Sequence, residues 1–192
     1  MTKPCRWTGD GNRPHPEAVD HSDHVNLIRR GVEGAGPAWA DLGAGSGAFT
    51  LALADILGPA AAIIAIDRDA GALKRNADEM ARRFPEAHVD YRVGDFTAPL
   101  DLPLLDGIVM ANSLHFQRDQ RSVVERVRDY LRPGGRLVIV EYNTDRGNYA
   151  VPYPVPFTRW QRLAADAGFA RTELLVRRPS RWHSEMYSAV SS

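Results

Sequence analysis

The order of apolar, helical and glycine-rich segments predicts an α/β protein. Its core is a doubly wound, mostly parallel, seven-stranded sheet with helices on both faces and a C-terminal antiparallel hairpin. Three observations carry this. Short apolar runs such as "AAIIAID" (61–67), "LLDGIVMAN" (104–112) and "RLVIVEY" (136–142) suit strands buried on both faces. Segments with apolar residues every three or four positions alternate with these runs, as parallel strands joined by helical crossovers require. Two strand-like segments, 170–178 and 181–190, end the sequence with only "PS" between them, a spacing that fits an antiparallel pair.

The elements follow in order. Residues 1–19 are rich in Pro, Gly and charge and read as an irregular arm. A helix is expected over 20–33, with Asp20 or Ser22 as cap and Val25, Ile28 and Val32 on one face. Residues 1–35 together are expected to form a partial lid over the site. "WADLGAG" (39–45) reads as a strand running into a glycine loop. The helix "GAFTLALADILG" (47–58) follows and stops at Gly58-Pro59. Strand 61–67 leads to helix 68–84, which Pro85 ends, and then to strand 88–96. Strand 104–112 precedes an amphipathic helix, 117–131, with Val123, Val127, Tyr130 and Leu131 inward. "RPGG" (132–135) reads as a turn before strand 136–142. A loop rich in Pro and Tyr covers 143–156, and a last helix spans 157–169.

The 192 residues, 44% apolar and 25% charged, suit a single domain over 1–192. Twenty-four basic residues balance 24 acidic ones, so no global charge draws the protein to nucleic acid or to an anionic membrane. Cys5 is the one cysteine, a free thiol on the arm that excludes an internal disulfide. The longest apolar run, "AAAIIAI" (60–66), is far too short to span a bilayer, and a cytoplasmic protein is expected. His15, His21 and His24 gather near the arm without a soft ligand beside them, so no metal site is expected.

The stretch "ADLGAGSGAF" (40–49) carries the chemistry. A glycine loop after a strand and before a helix lets the backbone approach a ligand, and free N–H groups at the helix start favour anions. Asp67 ends the next strand, where an acid can accept hydrogen bonds from ribose hydroxyls. These features also satisfy the dinucleotide pattern, with Ala48 in the last place, so the loop alone does not separate an NAD site from others.

The loop's neighbours do. "DLGAGSG" with its acid Asp41, "AIDRD" (65–69), "GDF" (94–96), "IVMANSLHF" (108–116) and "LRPGGRLVIVEY" (131–142) resemble the successive motifs of the class I S-adenosylmethionine-dependent methyltransferases. The resemblance covers residues 39–142 by motif and the rest by topology, and implies their Rossmann-like fold and S-adenosyl-L-methionine as cofactor. It also implies roles. Asp41 would meet the methionine ammonium, directly or through water. Gly43, Ala44, Gly45 and Gly47 would wrap the methionine and ribose. Asp67 would hold the ribose hydroxyls, with Arg68 beside the adenine. Asp95 would accept from the adenine amine, with Phe96 next to it. Ala111 and Asn112 would approach the methionine portion.

Methyl transfer from a sulfonium is an in-line displacement that needs alignment, exclusion of water and sometimes a base. His115 and Glu141 are the candidate catalytic residues, each with a structural alternative: loop packing for His115, loop anchoring for Glu141. Tyr149 and Tyr153 are candidates to stack on a planar acceptor. The expected partner is a small-molecule methyl acceptor, not a nucleic acid or membrane, and a homodimer that completes the pocket is one arrangement considered. Two other readings remain. One is an NAD(P)-dependent oxidoreductase, disfavoured because Lys74 is the only lysine beyond the tail to serve a catalytic Tyr/Lys pair. The other is a cofactor-binding module without catalysis.

Overall fold

The computed structural model describes residues 20–180, 183 and 185–192. The predicted arm, with Cys5 and His15, lies outside them, as do positions 181, 182 and 184 of the last predicted strand. The described chain runs α1 (His21–Val32), β1 (Ala38–Leu42), α2 (Ala48–Leu57), β2 (Ala62–Asp67), α3 (Ala70–Arg83), β3 (His88–Val93) and β4 (Leu105–Ala111). A short 3-10 turn (Leu114–Phe116), α4 (Gln120–Asp129), β5 (Leu131–Tyr142), α5 (Phe157–Asp166), β6 (Thr172–Pro179) and β7 (Glu185–Ser191) complete it.

Seven strands form one sheet in the order β3-β2-β1-β4-β5-β7-β6. The first five pair in parallel, and β7 lies antiparallel to both β5 and β6. Successive strand residues point to opposite faces, and each face finds its own helices. Ala40, Leu42, Ile108, Met110, Leu137 and Ile139 pack on Val123 and Val127 of α4 and on Trp160 and Ala164 of α5. Trp39, Ile63, Val109, Val138 and Val140 pack on Val25, Ile28 and Val32 of α1 and on Phe49 and Leu53 of α2. Two covered faces explain why these strands read as continuous apolar runs.

The predicted alternation holds, with two local differences. "RPGG" does not precede β5 but bulges within it. The pairing with β4 steps from Leu105↔Leu131 directly to Gly107↔Arg136, so the turn is looped out of the ladder while Leu131 keeps its place. The second difference concerns α1, predicted within a lid. Asp20 caps it through a reciprocal bond with Asp23, and its Val25, Leu27, Ile28 and Val32 are at most 4% exposed. The helix packs on α2 and on β5, β6 and β7, so it belongs to the core.

The seam between β1 and β4 rests on a size match. Trp39 is fully buried, and its indole N–H donates to the Gly36 carbonyl at 2.9 Å. The ring occupies the space beside Gly107, where an added Cβ would stand 2.3 Å from the indole. Gly107→Ala is therefore expected to destabilise the fold by about 1–3 kcal/mol through overpacking against a rigid ring, read by urea denaturation.

Candidate functional site

The carboxyl ends of β1, β2, β3 and β4 surround a cavity of about 290 Å³. It opens where the strand order reverses between β1 and β4, the place where open α/β sheets receive ligands. Segments after all four strands line it: Gly43 and Gly45, Asp67 and Arg68, Gly94 to Phe96, and Asn112, Ser113, Phe116 and Gln117.

The glycine loop is held from below. The N–H groups of Gly43 and Ala44 donate to the Ile66 carbonyl at 2.9 and 3.0 Å. The Gly45 N–H donates to Asp67 Oδ2 at 2.8 Å, while Asp67 Oδ1 accepts from the Asp69 N–H at 2.9 Å. Gly43 has φ +81°, and a Cβ there would come within 2.5 Å of Ser113 Cβ. Gly45 has φ +52° with nothing within 4 Å of an added Cβ, so its backbone lies open to the cavity. Two members of the predicted loop set stand back from the cavity. Ala44 is buried against Ala65 and Leu73, and Gly47 caps α2 beside Asn76.

On the β3 side, Asp95 Oδ1 accepts from the N–H and hydroxyl of Thr97 at 2.9 and 2.7 Å. These bonds, with Arg68 adding attraction, hold its carboxyl below the ordinary carboxylate range. Both bonds use Oδ1, so Oδ2 keeps its lone pairs for another donor. Phe96 is 9% exposed, bridging core and cavity.

Asp41 lies beneath the glycine loop. It is 1% exposed and does not line the cavity. Its Oδ2 accepts from the Thr50 hydroxyl at 2.7 Å, and Thr50 Oγ1 in turn accepts from Asn76 Nδ2 at 2.8 Å. Burial pushes its pKa from 3.8 up to about 7, against the pull of the Thr50 bond and with help from Asp67. It braces β1 to α2 and α3 beneath the loop.

At the end of β4, Ala111 is half-buried among the α1/α2-side apolar residues, away from the cavity. Asn112 lines the cavity with φ +51°, the one positive φ outside glycine among the described residues. Its Oδ1 is buried without a hydrogen-bond partner. Ser113 donates its hydroxyl to the Leu42 carbonyl at 2.9 Å, tying the β4 end to the β1 end.

His115 and Glu141, the candidate catalytic residues, face each other beside the cavity. The two side chains are 2% and 0% exposed, and neither lines the cavity. His115 Nδ1 lies 2.6 Å from Glu141 Oε2, while Oε1 accepts the N–H groups of Leu114 and His115 at 3.1 and 3.2 Å. Glu141 thus ties β5 to the 3-10 turn. The His115 carbonyl accepts the Tyr153 N–H at 3.0 Å, and Gln120 Nε2 donates to the Tyr153 carbonyl at 2.7 Å. Tyr153 is thereby fixed next to the turn with its side chain 40% exposed, while Tyr149 stands 91% exposed.

Four lining residues were not predicted: Gly94, Ser113, Phe116 and Gln117. The first three lie inside the motifs "GDF" and "IVMANSLHF", so their positions were signalled although their types were not; nothing marked Gln117. His21 bonds Asp55 of α2 at 2.8 Å and His24 packs edge-on against Phe49. Among the described residues, no group of three His, Cys, Asp or Glu side chains could hold a metal ion, and no helix is long and apolar enough to cross a membrane. Lys74 pairs with Asp78 on the exposed side of α3.

The residues present fit S-adenosylmethionine. The cavity offers acid acceptors after β2 and β3, an open glycine backbone and an uncommitted side-chain amide.

A family model described as a methyltransferase domain matches residues 40–137. The arsenite methyltransferase of Aquipseudomonas alcaligenes is 31% identical over 113 residues, covering 55% of this chain and 33% of that protein. The O-methyltransferase cnsE of Penicillium expansum is 30% identical over 144 residues, covering 67% and 50%. The chain thus spans one third to one half of the length of these relatives. Among solved structures, magnesium protoporphyrin IX methyltransferase from Synechocystis, with bound SAM, superposes with TM-score 0.66 at 16% identity, covering 90% of this chain and 78% of that one.

Two outcomes are expected from the buried carboxylates. The folded-state pKa of Asp41 is raised, so the fold holds an extra proton between about pH 4 and about pH 7, and stability is lost as pH rises through that window. Asp41→Asn removes this titration. The variant should gain on the parent as pH rises, reaching a few kcal/mol near pH 8, measured by urea denaturation across the range. Glu141→Ala would leave two backbone N–H groups and a ring nitrogen without their acceptor, and should cost about 3 kcal/mol in the same measurement at neutral pH.

Proposed function

The chain belongs to the methyltransferase-domain family, and from that premise we propose that it transfers the methyl group of S-adenosyl-L-methionine to a small-molecule acceptor. The observation that carries this reading is the convergence of four strand-end segments on one cavity, with the Asp67 carboxylate bonded to the open Gly45 backbone at its floor.

Each lining group has work to do. Asp67 retains lone pairs beyond its two backbone bonds, and these accept the ribose hydroxyls. Asp95 Oδ2 accepts from the adenine amine, with Phe96 against the ring and Arg68 at the rim. The cofactor, when bound, supplies an activated methyl on a sulfonium leaving group. The chain's contribution is alignment and exclusion of water. Phe116, 49% exposed on the β4 side of the cavity, supplies an apolar wall for the acceptor. Glu141 and His115 hold the segment that carries it.

A small acceptor is supported by the zero net charge, which offers no electrostatic footprint for a nucleic acid. The relatives named for arsenite and for O-methylation point the same way.

Calorimetry on cofactor-free protein should show saturable binding of S-adenosylmethionine, and Asp67→Ala should weaken it by more than about tenfold. Labelled methyl should pass from the cofactor to a low-molecular-weight fraction of a cell extract. No binding of the cofactor or its demethylated product would overturn the reading. Tight binding with no transfer to any fraction would leave a binding module in place of an enzyme.

A further inference from the structure

We infer that the outer edge of β3 is the contact surface for a second copy of this chain, and that the two β3 strands pair antiparallel about a twofold axis at Tyr91. The surface uses no residue that lines the cavity, and the inference is independent of the methyltransferase reading.

The two edges of the sheet differ. An edge strand presents unpaired N–H and C=O groups, and proteins that stay monomeric blunt such edges. β6 is blunted. Its pairing with β7 shifts register between Leu174 and Val176, so the strand bulges at Leu175. The Arg30 guanidinium of α1 donates to the Leu175 carbonyl at 3.3 Å. Pro179, which has no N–H, ends the strand. β3 has none of these devices. It pairs with β2 from His88 to Val93 without a shift and contains neither Pro nor Gly. Among the described residues, no strand lies on its other side.

The direction of the free groups fixes what can pair there. The Gly94 N–H donates to the Asp67 carbonyl, toward β2. Backbone direction alternates along a strand, so Val89, Tyr91 and Val93 turn their N–H and C=O groups outward. An antiparallel twofold at Tyr91 sets Tyr91 opposite the partner's Tyr91 and Val89 opposite the partner's Val93. Every outward N–H then meets an outward carbonyl.

The side chains agree with that register. Asp90 and Arg92 stand two residues apart on one face of β3. The same twofold places Asp90 opposite the partner's Arg92, and Arg92 opposite the partner's Asp90, and opposite charges facing across a sheet stabilise the pair. Within one chain Arg92 Nε already donates to Asp90 Oδ2 at 2.8 Å, so pairing turns one surface ion pair into a closed set of alternating charges. Moving the axis to Asp90 or to Arg92 sets like charges against each other on the axis, which destabilises the pair. The other face gains apolar contact. Val93 is 65% exposed, more than any other large apolar side chain in the described helices and strands, and the partner's Val89 covers it. A patch that is its own complement is what a twofold dimer requires.

Sedimentation equilibrium on the full chain tests this, with circular dichroism to follow the fold of each variant. The parent should dimerise at about 100 μM or below. Asp90→Arg sets Arg against Arg, and Arg92→Asp sets Asp against Asp, and each should weaken association by about tenfold or more. An equal mixture of these two variants sets Arg against Asp at every charged position and should form a heterodimer. The double variant Asp90→Arg/Arg92→Asp should associate within about threefold of the parent. A chain that had lost its fold would not be rescued by mixing, so this pattern separates a lost interface from a lost structure. Val93→Pro removes an outward donor, leaves the pairing with β2 in place, and should also weaken association by about tenfold. A parent that stays monomeric at that concentration overturns the inference. A dimer indifferent to the charge reversals and to Val93→Pro overturns it as well, as does a loss of association that neither mixing nor the double exchange restores.

Discussion

The parallel pairing of β1 with β4 joins the two halves of the sheet and opens the cavity between them. Because the strand order reverses there, the segments leaving the two strands diverge, and a ligand can enter between them. The pairing survives only because Gly107 yields its side-chain volume to Trp39. The Ser113 hydroxyl then closes the upper end on the Leu42 carbonyl. The glycine loop and the Asn112 segment are positioned relative to each other by these contacts more than by anything in the loops themselves.

Two carboxylates are fully withdrawn from water, and they are satisfied differently. Glu141 meets two N–H groups of the 3-10 turn and the His115 ring nitrogen, so its burial organises that turn. Asp41 meets one hydroxyl and lies close enough to Asp67 to feel its charge, so its proton is held far more tightly than usual. Both are bracing groups: Asp41 fixes the floor beneath the glycine loop, and Glu141 fixes the 3-10 turn beside the cavity. The cavity-facing carboxylates are those with partial partners, Asp67 and Asp95, which keep lone pairs uncommitted.

The fold was largely legible from residue order. Apolar runs reported strands covered on both faces, and "LRPGG" before an apolar run marked β5, although as a bulge inside the strand. Of the predicted cofactor-site residues, Gly43, Gly45, Asp67, Arg68, Asp95, Phe96 and Asn112 line the cavity; Asp67 is the last residue of β2, and the others stand one to three residues beyond a strand end. Asp41, Ala44, Gly47 and Ala111 stand back from it. Asp41 and Ala111 fall within the strands, Ala44 is buried between Gly43 and Gly45, and Gly47 lies at the start of α2. His115 and Glu141 looked like chemistry because their types can do chemistry, yet they are buried against each other.

The sequence by itself determined the α/β alternation, the glycine loop, the acids after β2 and β3, and the family they belong to, since these depend on spacing along one or two neighbouring elements. Only the tertiary structure decided which polar groups are free. Thr50, nine residues on, captures Asp41, and Glu141, 26 residues on, captures His115. Asn112 is left with an unsatisfied oxygen because nothing near it in space offers a donor. Hydrogen-bond partnership and access to water are set by what the fold brings together across the sheet, and no local pattern of residues encodes them.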